Sequence, residues 1–217
     1  MSMGCRMRRR NDLMAGGDSG KAKEPVFAEI DLTTRLIHLA LVAFGILAIV
    51  SGQFAGDYKS TAHSGFDIHR WCGLGMALVV AVRMLWGLTG PRKNRFSSWF
   101  PLTPGRLRCA WQDIVTLSRF TLPSRPLHQG LAGLVQMLGL FAFAWMAVSG
   151  AVLFVWLAPG SRTTGAIGFA KELHEGGQVI VWVYLALHAA AVIAHAMAGH
   201  DLWRSMFFFT QAKEKRR

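Results

Sequence analysis

The sequence predicts an all-α protein, an integral membrane four-helix bundle with both termini on the cytoplasmic side. Three observations carry that reading. The 217 residues are 52% hydrophobic yet bear a net charge of +12. The apolar residues are gathered into four long blocks instead of being dispersed at the period of soluble amphipathic helices. Lys and Arg are concentrated in some of the segments between those blocks and are sparse in the others.

Residues 1–30 read as a basic, Gly-rich cytoplasmic arm, too poor in large apolar groups to build a core and expected to be disordered. The first span is expected over Leu36–Gly52, with helix continuing past its apolar ends. The second is expected over His69–Leu88, the third over Leu127–Leu157 and the fourth over Leu173–Ala198. Each is near or above the ~20 residues that a spanning helix needs. The runs are too long for strands and do not alternate. Between the second and third spans, the stretch Gly105–Phe120 is amphipathic, with Trp111, Ile114, Val115 and Leu117, and suits a helix on the membrane surface. Residues 207–217 read as a basic cytoplasmic tail.

Charge orients the bundle. The segment up to Arg35 holds seven basic residues, the link from Arg92 to Arg125 seven, and the tail from Arg204 five. The other two links hold only Lys59, Arg70, Arg162 and Lys171. Basic residues stay cytoplasmic, so both termini and the middle link are placed inside. Loops of this kind account for the charge without nucleic acid. The first apolar run begins too late for a cleavable signal peptide and is expected to serve as an uncleaved anchor. The three cysteines, Cys5, Cys72 and Cys109, are far apart and include no C-x-x-C-H, which excludes covalently attached c-type haem.

The chemistry lies in the histidines. His38, His69, His174 and His188 each sit in or at the rim of a span, where an ionisable side chain marks function by default. His38 lies three residues past Arg35, near the cytoplasmic face. His69 and His174 open inward-running spans at the outer face. His188 follows His174 by fourteen residues, ~40° short of four turns, so both rings share one side of the helix ~21 Å apart. His69 can therefore meet His174 near the outer face, and His38 can meet His188 nearer the inner face.

Paired histidines across a bundle, with no carboxylates or thiolates at the same depth, do not make a zinc or copper cage. They suit haem iron, because the porphyrin supplies four nitrogens and two imidazoles complete the set. Two non-covalent b-type haems are expected. Gly45, Gly73 and Gly75 lie near the ligands, where small residues suit the room a haem disc needs and equally suit plain helix packing. His195 is the alternative to His188 as inner ligand, since the helical wheel brings both to nearly the same side. His63, His128 and His200 are expected outside the ligand set. The rival classes are a cofactor-free membrane anchor subunit and a histidine-relay ion or proton transporter. The second is disfavoured because no Asp or Glu is expected within the spans.

Several motifs resemble one family. Asp31-Leu32-Thr33-Thr34-Arg35-Leu36-Ile37-His38 is similar to the D-x-x-T-R-x-x-H start of the first span in bacterial b-type cytochromes of the nickel–iron hydrogenase cytochrome and cytochrome b561 family. His69-Arg70-Trp71-Cys72-Gly73 resembles its H-x-x-x-G second-span start. The run from Arg83 to Pro91 and Arg95-Phe96-Ser97-Ser98-Trp99 resemble the exit of that span. Leu173-His174-Glu175 and the stretch Leu187–Ala191 resemble the two last-span histidine motifs. The likeness covers about residues 31–206, the expected di-haem domain.

The resemblance implies a di-haem cytochrome that moves electrons between membrane quinone and a redox partner, a further subunit or a c-type cytochrome, in the bacterial cytoplasmic (inner) membrane. A homodimer is compatible with it. Arg35 inside, and Arg70 and Lys171 outside, are the candidates to meet haem propionates. Arg95, Arg125 and His128 form the inner-face cluster considered for quinone.

Overall fold

In the computed structural model of the chain the described residues are 30–55, 64–119, 121–123, 129–199 and 202–207. Cys5, Lys59, His63, Arg125, His128 and His200, the arm up to residue 29 and the tail from residue 208 lie outside them. Among the described residues there are helices and links but no strand. The helices are α1 (Leu32–Phe54), α2 (Ser64–Thr89), α3 (Phe96–Trp99), α4 (Pro104–Leu117), α5 (Gly130–Trp156), α6 (Gly165–Met197) and α7 (Leu202–Phe207). A 3-10 turn at Arg92–Asn94 follows α2. Four of these helices, α1, α2, α5 and α6, are long and apolar enough to cross a membrane. Large apolar side chains such as Ile46, Leu78, Val148, Val179 and Leu187 stay exposed along them, as a lipid-facing surface requires.

The chain forms two compact units. One covers Phe96–Met137 and the other covers Ile30–Arg95 with residues 138–207. In the first unit, Phe96, Trp99 and Phe100 make an aromatic cluster, with Phe96 and Phe100 stacked at 4.7 Å. Arg106 ties α4 to that cluster by donating to the carbonyls of Ser97 and Phe100 at 3.0 and 2.9 Å. Helix α4 is the expected amphipathic segment: Leu107, Trp111 and Ile114 are exposed while Cys109, Ala110 and Asp113 are buried. The Asp113 carboxylate accepts from the Leu131 backbone N–H at 2.9 Å. This caps the first turn of α5 with negative charge, where the helix dipole favours it.

The second unit holds the spans. Two hairpins build it, α1 with α2 and α5 with α6. At the hairpin end, α2 starts against the end of α1, so closely that a Cβ on Gly65 would collide with the Phe54 carbonyl. Further along, Gly75 sits under the Phe44 ring and Gly45 near Met76. Gly75 thus serves close α1–α2 packing, the second of the two uses the sequence left open, while a Cβ on Gly45 would make only ordinary contact with Met76. Only Gly73 of the three meets nothing within 4 Å. In the other hairpin, Gly139 lies under the Tyr184 ring, and Gly177 lies against Trp145 and Met146.

At the opposite, terminal end, the family-like motifs form a clip. Asp31 caps α1 by accepting from the Thr34 backbone N–H at 3.1 Å and from its hydroxyl at 2.9 Å. Asn94, in the turn beyond α2, donates to both Asp31 and Thr34. Trp86 Nε1 donates to Thr34 Oγ1 at 3.3 Å, and Arg95 Nε closes the turn on the Gly90 carbonyl at 2.7 Å. Helix α7 packs against α1 and α6 at this end.

Helix ends differ from those expected. Helix α2 starts at Ser64 and α6 at Gly165, so His69 and His174 lie within their helices instead of opening them. Apolar runs mark where lipid begins, whereas the backbone ladder continues through polar turns. Lys171 and Glu175, paired at 2.6 Å one turn apart, support that continuation. Carboxylates are accordingly present in the spanning helices: Asp67 in α2, and Glu172 and Glu175 in α6.

Candidate functional site

His69 is in the second turn of α2 and His174 in the third turn of α6. The structure brings their rings together, with centroids 6.2 Å apart and planes at 66°. Two imidazoles sharing one metal at ~2 Å per nitrogen would put their ring centres ~6 Å apart. The spacing therefore fits a single ion held between them.

The ring nitrogens are differentiated. His69 Nδ1 lies 3.0 Å from the Ala48 carbonyl and 3.3 Å from Ser51 Oγ, both on α1. A carbonyl can only accept, so Nδ1 carries the proton and Nε2 keeps its lone pair. His174 Nδ1 lies 2.9 Å from Ser149 Oγ on α5. That hydroxyl spends its own proton on the Trp145 carbonyl at 2.8 Å, so it too accepts from the ring. Both histidines are thus fixed in the tautomer that offers Nε2 to a metal. Gly52 and Gly150 allow the rings this close: a Cβ on either would stand 3.3 Å from His69 Cε1 or 3.1 Å from His174 Cε1.

Ser51 and Ser149 were not anticipated from the sequence. Their signal was present as a repeat, Val50-Ser51-Gly52 and Val148-Ser149-Gly150. A serine inside an apolar helix ordinarily bonds back to its own ladder, as both do here, and so draws no notice.

Around this pair, Arg70 donates to the Phe154 carbonyl at 3.1 Å near the end of α5, and its guanidinium sits 4.7 Å from the Phe154 ring. Its Nε is buried without an acceptor among the described residues, leaving a donor for an anionic group. Lys171, by contrast, is engaged by Glu175. Trp145 Nε1 donates to the Leu173 carbonyl at 3.0 Å and fixes α5 against α6 beside His174.

At the terminal end His38 and His188 lie within electrostatic reach of one another. His38 meets the edge of Phe207 in α7 at 6.0 Å, and its Nδ1 is buried with no hydrogen-bond partner among the described residues. His188 stacks on Tyr184 at 5.6 Å, one turn back along α6. Arg35 is half-buried one turn before His38. His195 is half-buried in the last turn of α6. Among the described residues no three His, Cys, Asp or Glu side chains converge as a metal cage. The facing pair His69 and His174 would suit an iron whose other four ligands come from a tetrapyrrole.

The family model described as prokaryotic cytochrome b561 matches residues 29–209. No curated protein and no solved structure matches the chain.

Proposed function

The chain belongs to the prokaryotic cytochrome b561 family, and on that premise we propose that it is a di-haem electron carrier linking the quinone pool to a redox partner in the bacterial cytoplasmic membrane. The family is one of membrane cytochromes that bind b-type haem. The observation that carries the finer reading is the facing pair His69–His174, spaced for one iron with each Nδ1 held from behind.

In this reading His69 and His174 hold one haem at the hairpin end, and His38 and His188 hold a second at the terminal end. The concentration of basic residues in the N-terminal, middle and C-terminal segments supports a cytoplasmic terminal end. Bound haem would supply a one-electron iron couple; the chain would supply imidazole nitrogens from His69, His174, His38 and His188, an apolar surround and fixed orientation of the His69 and His174 rings. Arg70 offers its buried Nε to a propionate at the hairpin end, with Lys171 nearby but shared with Glu175, and Arg35 takes the equivalent part at the terminal end. Beside His174, Trp145 is bonded across the interhelical gap and Met146 lies against Gly177.

The test is a visible spectrum with extraction of the purified chain. Low-spin b-type bands and about two haems per chain, all released by acidified organic solvent, are expected because no thioether bond can form. Folded protein from iron-replete cells without haem, or with one per chain, overturns the reading.

A further inference from the structure

Resting on the haem reading above, we propose that Ser51 and Ser149 are positioning residues that set the donor strength of the hairpin-end histidines, and that the terminal-end site lacks this device. Four observations converge. Each serine stands on the first helix of a hairpin and faces a histidine on the second: Ser51 on α1 toward His69 on α2, and Ser149 on α5 toward His174 on α6. Each hydroxyl proton is committed to its own helix, Ser51 to the Leu47 carbonyl at 2.6 Å and Ser149 to the Trp145 carbonyl at 2.8 Å. The oxygen is therefore left to accept.

Each serine is backed by the carbonyl three residues earlier, Ala48 for His69 and Met146 for His174. Each is followed by a glycine whose missing side chain gives the ring its place. The two hairpins thus present the same device twice, in the same Val-Ser-Gly run. His38 Nδ1 has no acceptor among the described residues.

The chemistry follows from the direction of these bonds. An acceptor behind Nδ1–H draws the proton away from the ring and makes Nε2 a stronger donor. A stronger donor favours the more positive iron, so the hairpin-end centre is harder to reduce than its two histidines alone would make it. A role in packing alone would change how much haem is bound, not the potential of a fully loaded centre.

The experiment uses the full chain in detergent, with Ser51→Ala, Ser149→Ala, the double variant and Ser149→Thr. Redox titration by absorbance is combined with electron paramagnetic resonance. In the double variant the one-electron reduction constant of the hairpin-end centre is expected to rise about tenfold (~59 mV). The remaining backbone carbonyls cap the effect near that size, and the terminal-end centre keeps its potential and its low-spin signal. Ser149→Thr, which keeps the hydroxyl, stays near the parent value.

Haem lost from the hairpin-end site in Ser149→Ala, with the potential of the centres that stay loaded unchanged, is a packing role and overturns the proposal. An unchanged potential at full occupancy, a shift confined to the terminal-end centre, or a haem loss that threonine does not reverse overturns the proposal. A parent chain that binds no haem overturns the reading beneath it instead.

Discussion

Asp31 and Asn94, 63 residues apart in the chain, share a hydrogen bond that fastens the start of α1 to the turn beyond α2. Thr34 and Trp86 complete the same clip. The residues that give the chain its family-like motifs are thus partly a structural fastening, lying one to two turns before His38. Holding that end of α1 sets the depth and rotation at which His38 is presented.

Removing the cap tests this. Asp31→Ala is expected to lower stability by about 0.5–2 kcal/mol, the usual range for a lost helix cap. It should also broaden the terminal-end haem signal more than the hairpin-end one. Thermal unfolding in detergent and electron paramagnetic resonance of the two centres measure the two effects. Equal broadening of both signals would detach the clip from His38.

The same residue gives a pH dependence. Partial burial pushes the Asp31 carboxyl up, but hydrogen bonds from Asn94 and Thr34 outweigh it and hold the group below its ordinary value. A carboxyl lowered by folding stabilises above its unfolded value of ~3.9, and that contribution is lost as pH falls through the folded value. The difference in unfolding temperature between the parent and Asp31→Asn should therefore be constant near neutrality and shrink below about pH 4. A difference that grows on acidification contradicts the assignment.

The ligand pairs should separate. On the proposed pairing, His69→Ala is expected to remove about half of the bound haem and spare the terminal-end centre, and His38→Ala to remove the other half, since each iron would need both of its imidazoles. Haem content by extraction and the surviving low-spin signal identify which centre remains. Depletion of the same centre by both variants overturns the pairing.

His188 and His195 share a helix and nearly a face, and the structure half-buries both. His188 stacks on Tyr184, one turn back along α6. His188→Ala should therefore abolish the terminal-end low-spin signal while His195→Ala retains it. The reverse pattern assigns the ligand to His195.

Close packing in the second hairpin gives a purely structural prediction. Gly139→Leu forces a side chain into the Tyr184 ring and should destabilise the protein by about 1–3 kcal/mol. Gly73→Ala, whose Cβ meets nothing within 4 Å, should change stability little. Thermal unfolding of the two variants decides it.

How much of this was legible in advance depends on which physics writes the signal. The four spans were legible because lipid demands long apolar runs, and the meeting of His69 with His174 followed from their shared place at the outer ends of inward-running spans. The helix ends were not: α6 reaches back to Gly165 through Lys171, Glu172 and Glu175, since a helix does not stop where lipid does. Gly45 and Gly75 carried an ambiguous signal, because cofactor space and close helix packing call for the same residue. Ser51 and Ser149 stayed hidden because each bonds to its own helix and to its neighbour's histidine at once.

His69 has its Nδ1 partner on the helix just before it, and so does His174. Each hairpin therefore leaves the ribosome with one ligand already turned the right way, and neither can hold iron alone. On the haem reading, the metal site comes into being only when the last span meets the second, after synthesis of the whole bundle. Cofactor loading is then the closing step of biogenesis, a staple driven between two finished halves. Cells starved of haem should accumulate an intact, membrane-inserted chain whose two hairpins are held together by the link between them and by side-chain contacts, without iron.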